Sequence, residues 1–211
     1  MEISINNIKL AADFFRGDTT MFDAKDEDYK NIFMAYATDS NSSSLRELVT
    51  LHILGYESNS AKHGHDGTDT LTGKLKEVKP RSVKTGKKIG SSGSFNDMTL
   101  GLLKRKKDYD VICSLFLETR LVYIVEFPFS TIYEKIKKPI DKAKAGKRVV
   151  CGFGHTDYNC DELIVHYFDS VTATETKCLS KKHYQLLARK SKKELNDNTI
   201  TKLLECEAFN K

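Results

Sequence analysis

The residues of this chain that could do chemistry together fall in one stretch, His63-Gly64-His65-Asp66-Gly67-Thr68-Asp69-Thr70-Leu71-Thr72-Gly73-Lys74-Leu75-Lys76-Glu77-Val78-Lys79-Pro80. An acid stands before a turn-forming Thr72-Gly73, and a Glu77-Val78-Lys79 triplet follows it. Side chains two apart on a strand share one face, so Glu77 and Lys79 project together. The strand before the turn can bring Asp66 or Asp69 to the same end. Two carboxylates and an ammonium would then converge. That grouping suits phosphodiester hydrolysis. A hard cation such as Mg²⁺ takes carboxylate oxygens and keeps several waters. It lowers the pKa of a bound water and stabilises charge developing on the phosphate. A neighbouring lysine can orient or activate the attacking water. The competing reading of the same residues is an exposed hairpin with ordinary surface ion pairs.

Hydrophobic spacing supplies the elements that must position these groups. Helical periodicity marks 5–15 and 27–37, and a third helix starts at Ser44 and stops at Gly55. Thr68–Leu71 and Leu75–Lys79 read as a hairpin, with Pro80 closing the second strand. Residues 81–95 read as a basic Gly/Ser loop, and Asn96–Lys107 as a short helix. Val111–Leu117 and Leu121–Phe127 are two strong strands, and Ser130–Ala145 is a basic helix broken or kinked at Pro139. Val149–Phe153 and Leu163–Phe168 are further strands; Lys181–Lys190 and Asn198–Cys206 are helical by pattern. The expected class is α+β or mixed α/β.

Asp66, ten residues, then Glu77-Val78-Lys79 resembles the PD-(D/E)xK nuclease superfamily, known best from type II restriction endonucleases. Asp66-Gly67-Thr68-Asp69 looks like the acid-x-x-acid spacing of some small restriction enzymes. The resemblance covers roughly residues 43–127, and His65 stands where the family's proline is usually written. It implies a restriction-endonuclease-like central mixed sheet flanked by helices. It also implies Asp66, Glu77 and the Val78 carbonyl as ligands of Mg²⁺, and Lys79 as the residue that positions water. Asp69 is the second choice for the first acid. Glu47 matches a glutamate that members often carry on the preceding helix to serve a second metal. It equally completes a capping box, Ser44-Leu45-Arg46-Glu47, in which it would bond the Ser44 N–H. The chain then reads as one nuclease domain, 1–211. Its catalytic core is about 43–170, and its helical part, 1–60, is available for dimerisation or DNA contact.

Double-stranded DNA is the implied partner, with a homodimer implied by resemblance. Arg81, Lys84, Lys87 and Lys88 follow the motif, and Lys104-Arg105-Lys106-Lys107 ends the next segment; these, with Asn96, are the expected DNA contacts. Asn96 also reads as a helix cap. Residues 153–159 are a candidate recognition loop or a plain hairpin connection. His63 and His65, and the set Cys151, His155 and Cys160, match no usual zinc module. Alternative functions are a repair, recombination or phage nuclease that reads DNA structure, and a non-catalytic DNA-binding protein on the same fold.

Charge agrees with a polyanionic substrate. The net +5 divides into −5 over residues 1–60, +6 over 61–110 and +4 over the rest. A solvated lysine-rich surface would give the same count. Hydrophobic residues make up 39% and charged residues 30%, with no apolar run near the roughly 20 residues of a membrane helix. Five cysteines, an odd number without C-x-x-C spacing, fit reduced thiols, and the absence of a signal-like start adds to the expectation of a cytoplasmic protein.

Overall fold

The computed structural model describes residues 43–59, 64–84, 92–118, 120–144, 146–175 and 178–191. The helices expected at 5–15, 27–37 and 198–206, and the residues His63, Lys87 and Lys88, lie outside the described residues.

Strands and helices alternate in a mixed α+β order. The strands are β1 (Glu57–Ser58), β2 (Gly67–Thr68), β3 (Leu75–Val83), β4 (Ser92–Met98), β5 (Asp110–Leu117), β6 (Arg120–Pro128), β7 (Val149–Gly154) and β8 (Ile164–Phe168). The α-helices are α1 (Ser44–Leu54), α2 (Leu100–Arg105), α3 (Tyr133–Asp141), α4 (Ser170–Glu175) and α5 (Lys181–Lys190). Six strands form one sheet in the order β1-β2-β3-β5-β6-β8; β4 and β7 form a separate antiparallel pair. Within the large sheet β3 and β5 run parallel, and every other pairing is antiparallel. No helix among the described residues is long and apolar enough to cross a membrane.

The sheet is covered on both faces, which explains why β5 is buried at every position. One face packs Val78, Ile112, Phe116 and Ile124 against Val49 and Leu51 of α1. The other packs Val111, Cys113, Leu115 and Phe127 against Phe95 and Met98 of β4, Phe153 of β7 and Ile136 of α3. Helix α1 is tied to the sheet by Thr50 Oγ1 and Ser114 Oγ, 2.8 Å apart and buried. It ends where expected: Gly55 adopts φ 73° and returns its N–H to the His52 and Leu51 carbonyls. Gly67 lets β2 lie against α1, since a Cβ there would stand 2.6 Å from Leu51 Cδ2 and 2.8 Å from the Glu57 carbonyl.

Four expectations need correction. First, β3 does not stop at Pro80 but runs to Val83, paired in register with β5 throughout (Pro80↔Ser114, Val83↔Leu117). In a strand paired in parallel, the N–H and C=O of one residue face the same side, and alternate residues face opposite sides. Val78 sends its N–H away from β5, to Asp66. Pro80, two residues on, faces the same open side, so its missing N–H removes no ladder bond. Second, residues 92–98, read as loop and helix start, form β4, and Thr99 caps α2 by accepting the Leu102 N–H at 3.3 Å. Third, the hairpin's first arm is only Gly67–Thr68, with a turn through Asp69–Gly73. Fourth, helix α3 continues through Pro139, which sits in its last turn.

Candidate active site

Asp66 is held by backbone on both sides. Its N–H donates to the Lys76 carbonyl at 2.9 Å, and its carbonyl accepts from Asn59 at 2.8 Å. This fixes the side chain over the open edge of β3, where Oδ2 accepts the Val78 N–H at 2.6 Å. Glu77 and Lys79 stand on one face of β3, and Lys79 Nζ donates to Glu77 Oε1 at 2.6 Å. The Val78 carbonyl faces the same edge as its N–H. Asp66, Glu77 and Lys79 are therefore brought together.

Asp69 is elsewhere in role. Its Oδ1 accepts the Leu71 and Thr72 N–H groups and its Oδ2 the Thr72 hydroxyl, so it builds the turn. These bonds hold its carboxyl below the ordinary range, the Thr72 hydroxyl most of all.

Glu47 does not complete a capping box. Helix α1 is capped one residue earlier, at Ser43, whose side chain makes no capping bond. Glu47 instead lines a cleft of about 780 Å³ with Val78, Lys79, Arg81 and Asn96. It is close enough for its charge to act on both Asp66 and Lys79.

Lys106 corrects the sequence reading most sharply. Expected as a DNA contact in a solvated basic run, it is 8% exposed. Its ammonium donates to Glu77 Oε2, lies 3.4 Å from the Gly64 carbonyl and sits over the Tyr109 ring. Lys104, Arg105 and Lys107 are exposed. A helical turn points only part of its circumference at the core. Lys106 is three residues past Leu103, which is fully buried, so the i, i+3 spacing was the signal that could have found it. Among the other expected DNA contacts, Arg81, Lys84 and Asn96 are exposed; Asn96 lies on β4 and caps no helix. Gly154 and Asp157 of the candidate recognition loop line the cleft, while His155 stacks on His183 at 4.8 Å.

Comparison with known protein families and with curated protein sequences found no match.

The electrostatics are those of a site with excess negative charge. Three carboxylates, Glu47, Asp66 and Glu77, face two ammoniums, Lys79 and Lys106. Burial, then the Glu77 carboxylate, pushes Asp66 up to about 6 against the pull of Lys79 and the Val78 N–H. Burial also works against Glu77, but Lys79 and Lys106 outweigh it and hold this carboxyl below its ordinary value. Burial opposes the Lys79 charge; Glu77, Asp66 and Glu47 outweigh it and hold the ammonium above its ordinary value. Cys113, opposite Lys79 in the β3–β5 register, has its thiol pushed up to about 12 by burial and is no nucleophile.

The donor set fits a hard divalent cation. No group of three or more His, Cys, Asp or Glu among the described residues forms a ready-made cage. Magnesium does not need one, since it binds through one or two carboxylates and keeps its waters. Asp66 Oδ1 accepts no hydrogen bond among the described residues, and each oxygen of a bound carboxylate keeps a further lone pair.

The raised Asp66 value has a consequence for the metal-free protein. An acid whose pKa rises on folding costs stability once it must ionise. The cost is absent below the ordinary 3.8 and complete above about 6. Asp66→Asn in EDTA is thus expected to be more stable than wild type by about 3 kcal/mol at pH 8, with the gap closing near pH 4. Urea unfolding at the two pH values measures this; equal stability at pH 8 would contradict the assigned environment.

Proposed function

We propose that the chain is a Mg²⁺-dependent endonuclease that hydrolyses phosphodiester bonds of double-stranded DNA, of the type II restriction kind. The observation that carries this reading is Asp66 bonded to the Val78 N–H beside Glu77, with Lys79 on the same carboxylate. The mixed sheet with a parallel β3–β5 pair supports a restriction-endonuclease-like fold.

Asp66, Glu77 and the Val78 carbonyl would hold the cation. Bound there, Mg²⁺ would supply a lowered water pKa and positive charge toward the phosphate. Lys79 reaches the cleft from the Glu77 side and orients the attacking water. Arg81 and Asn96, exposed residues that line the cleft, and the exposed Lys84 contact the DNA. A homodimer acting on a palindrome follows if the restriction reading holds.

Purified protein incubated with plasmid in Mg²⁺ tests this. Discrete fragments that EDTA abolishes and Glu77→Ala does not yield are the expected result. Fragmentation that depends on DNA structure and not on sequence would move the assignment to a repair or phage nuclease. DNA binding without any cutting, unchanged by Glu77→Ala, would overturn the enzymatic reading in favour of a binding protein.

A further inference from the structure

A second cavity, of about 520 Å³, has Lys106 in its wall together with Arg105, Arg148, Tyr109, Thr99 and Asp97. It shares no lining residue with the cleft that contains Lys79. Glu77 joins the two, since its Oε1 is bonded to Lys79 and its Oε2 to Lys106. Three cations here meet one carboxylate, Asp97. The Lys106 charge is already balanced by Glu77, so Arg105 and Arg148 are the surplus. Among the described residues neither arginine forms an ion pair, and both are exposed.

Two separate chain segments deliver these guanidiniums. Arg105 comes from the end of α2, and Arg148 from the residue before β7. A planar guanidinium presents paired N–H donors that match two oxygens of a phosphate. The cavity is a place of positive charge that starts at an ammonium in hydrogen-bond contact with the catalytic cluster.

We propose that this cavity is a second phosphate subsite, which takes a backbone phosphate of the strand whose neighbouring phosphate lies at Asp66 and Glu77. The subsite rests on the nuclease reading above and extends it. It separates Arg105 from Lys104 and Lys107, exposed neighbours that do not line the cavity. It also adds Arg148, which lies more than forty residues along the chain.

The test is the salt dependence of binding to a labelled duplex oligonucleotide in EDTA, where no cutting occurs. Arg105→Ala and Arg148→Ala are each expected to weaken binding about tenfold. Each should lower the slope of log K against log salt by about one unit. Lys181→Ala, which removes one charge from an exposed residue that lines neither cavity, should leave the slope unchanged. If wild type binds DNA but the arginine variants match the lysine control, the subsite is refuted while the nuclease reading stands. If the slope responds as expected but Mg²⁺ produces no cutting, the subsite stands as a nucleic-acid site and the nuclease reading falls. No binding by wild type refutes both.

Discussion

Lys79→Ala is expected to lower the single-turnover rate of DNA cleavage by about 10²–10⁴-fold, with duplex affinity close to wild type. The ammonium stands 2.6 Å from Glu77 Oε1 and lines the cleft in which a scissile phosphate would lie. Its loss removes the group that orients water and the positive charge nearest to Asp66. It does not strip Glu77 of partners, because Lys106 still holds Oε2. The fold should therefore survive with a lowered urea midpoint, and a protein still fully folded in the absence of urea would show that the rate loss is chemical. Affinity is carried by exposed cations, so it should move little. Cleavage within tenfold of wild type would remove Lys79 from the role assigned to it.

A comparable free-energy effect, on stability this time, is expected on the opposite face of the same strand. Lys76 is 2% exposed and donates to Asp110 Oδ2 at 2.8 Å and to Glu126 Oε1 at 2.6 Å. Glu126 Oε2 in turn takes the Tyr56 hydroxyl at 2.9 Å and lies 2.7 Å from His166 Nε2. The network joins β3, β5, β6 and β8 with the segment after α1. Breaking a buried ion pair on one side leaves a desolvated charge behind, so Lys76→Met should cost about 3–5 kcal/mol. A shift of the urea midpoint with constant slope measures it, and a loss below 1 kcal/mol would show the pairs to be dispensable.

The same network has a pH signature. Burial works against the Glu126 carboxylate, but hydrogen bonds from His166 and Lys76 outweigh it and bring its pKa down to about 2. A depressed acid contributes stability above its unfolded value of 4.5, and the contribution is lost as pH falls toward about 2. Wild type should lose stability across that interval. Lys76→Met should respond less there, because the Lys76 hydrogen bond and charge that help hold the carboxyl down are gone.

Much of this protein was written in local pattern. The Ser44–Leu54 helix with its Gly55 stop, the paired apolar strands at 110–128 and the helix at Lys181–Lys190 follow from periodicity and caps that involve near neighbours only. The pairing of Glu77 with Lys79 is likewise local, because the two-residue repeat of a strand dictates it. Other features turned on partners distant in sequence. Pro80 is tolerated because β2 is too short to reach it. Residues 92–98 become a strand because β7 arrives to pair with them. Asp66 was preferred over Asp69 on spacing, and the Val78 N–H and the turn at Thr72 separate their roles.

The sequence by itself determined which groups could do chemistry and that two of them share a face. Tertiary structure decided which remaining charges join them. It placed Glu47 at the cleft and withdrew Lys106 from the surface to the second oxygen of Glu77. It also set Lys76, one residue from the motif, into a separate structural network. The physical reason is that charge is legible in composition, whereas desolvation and the choice of ion-pair partner depend on burial. Burial is fixed only when helices and strands far apart in the chain close over the same residue.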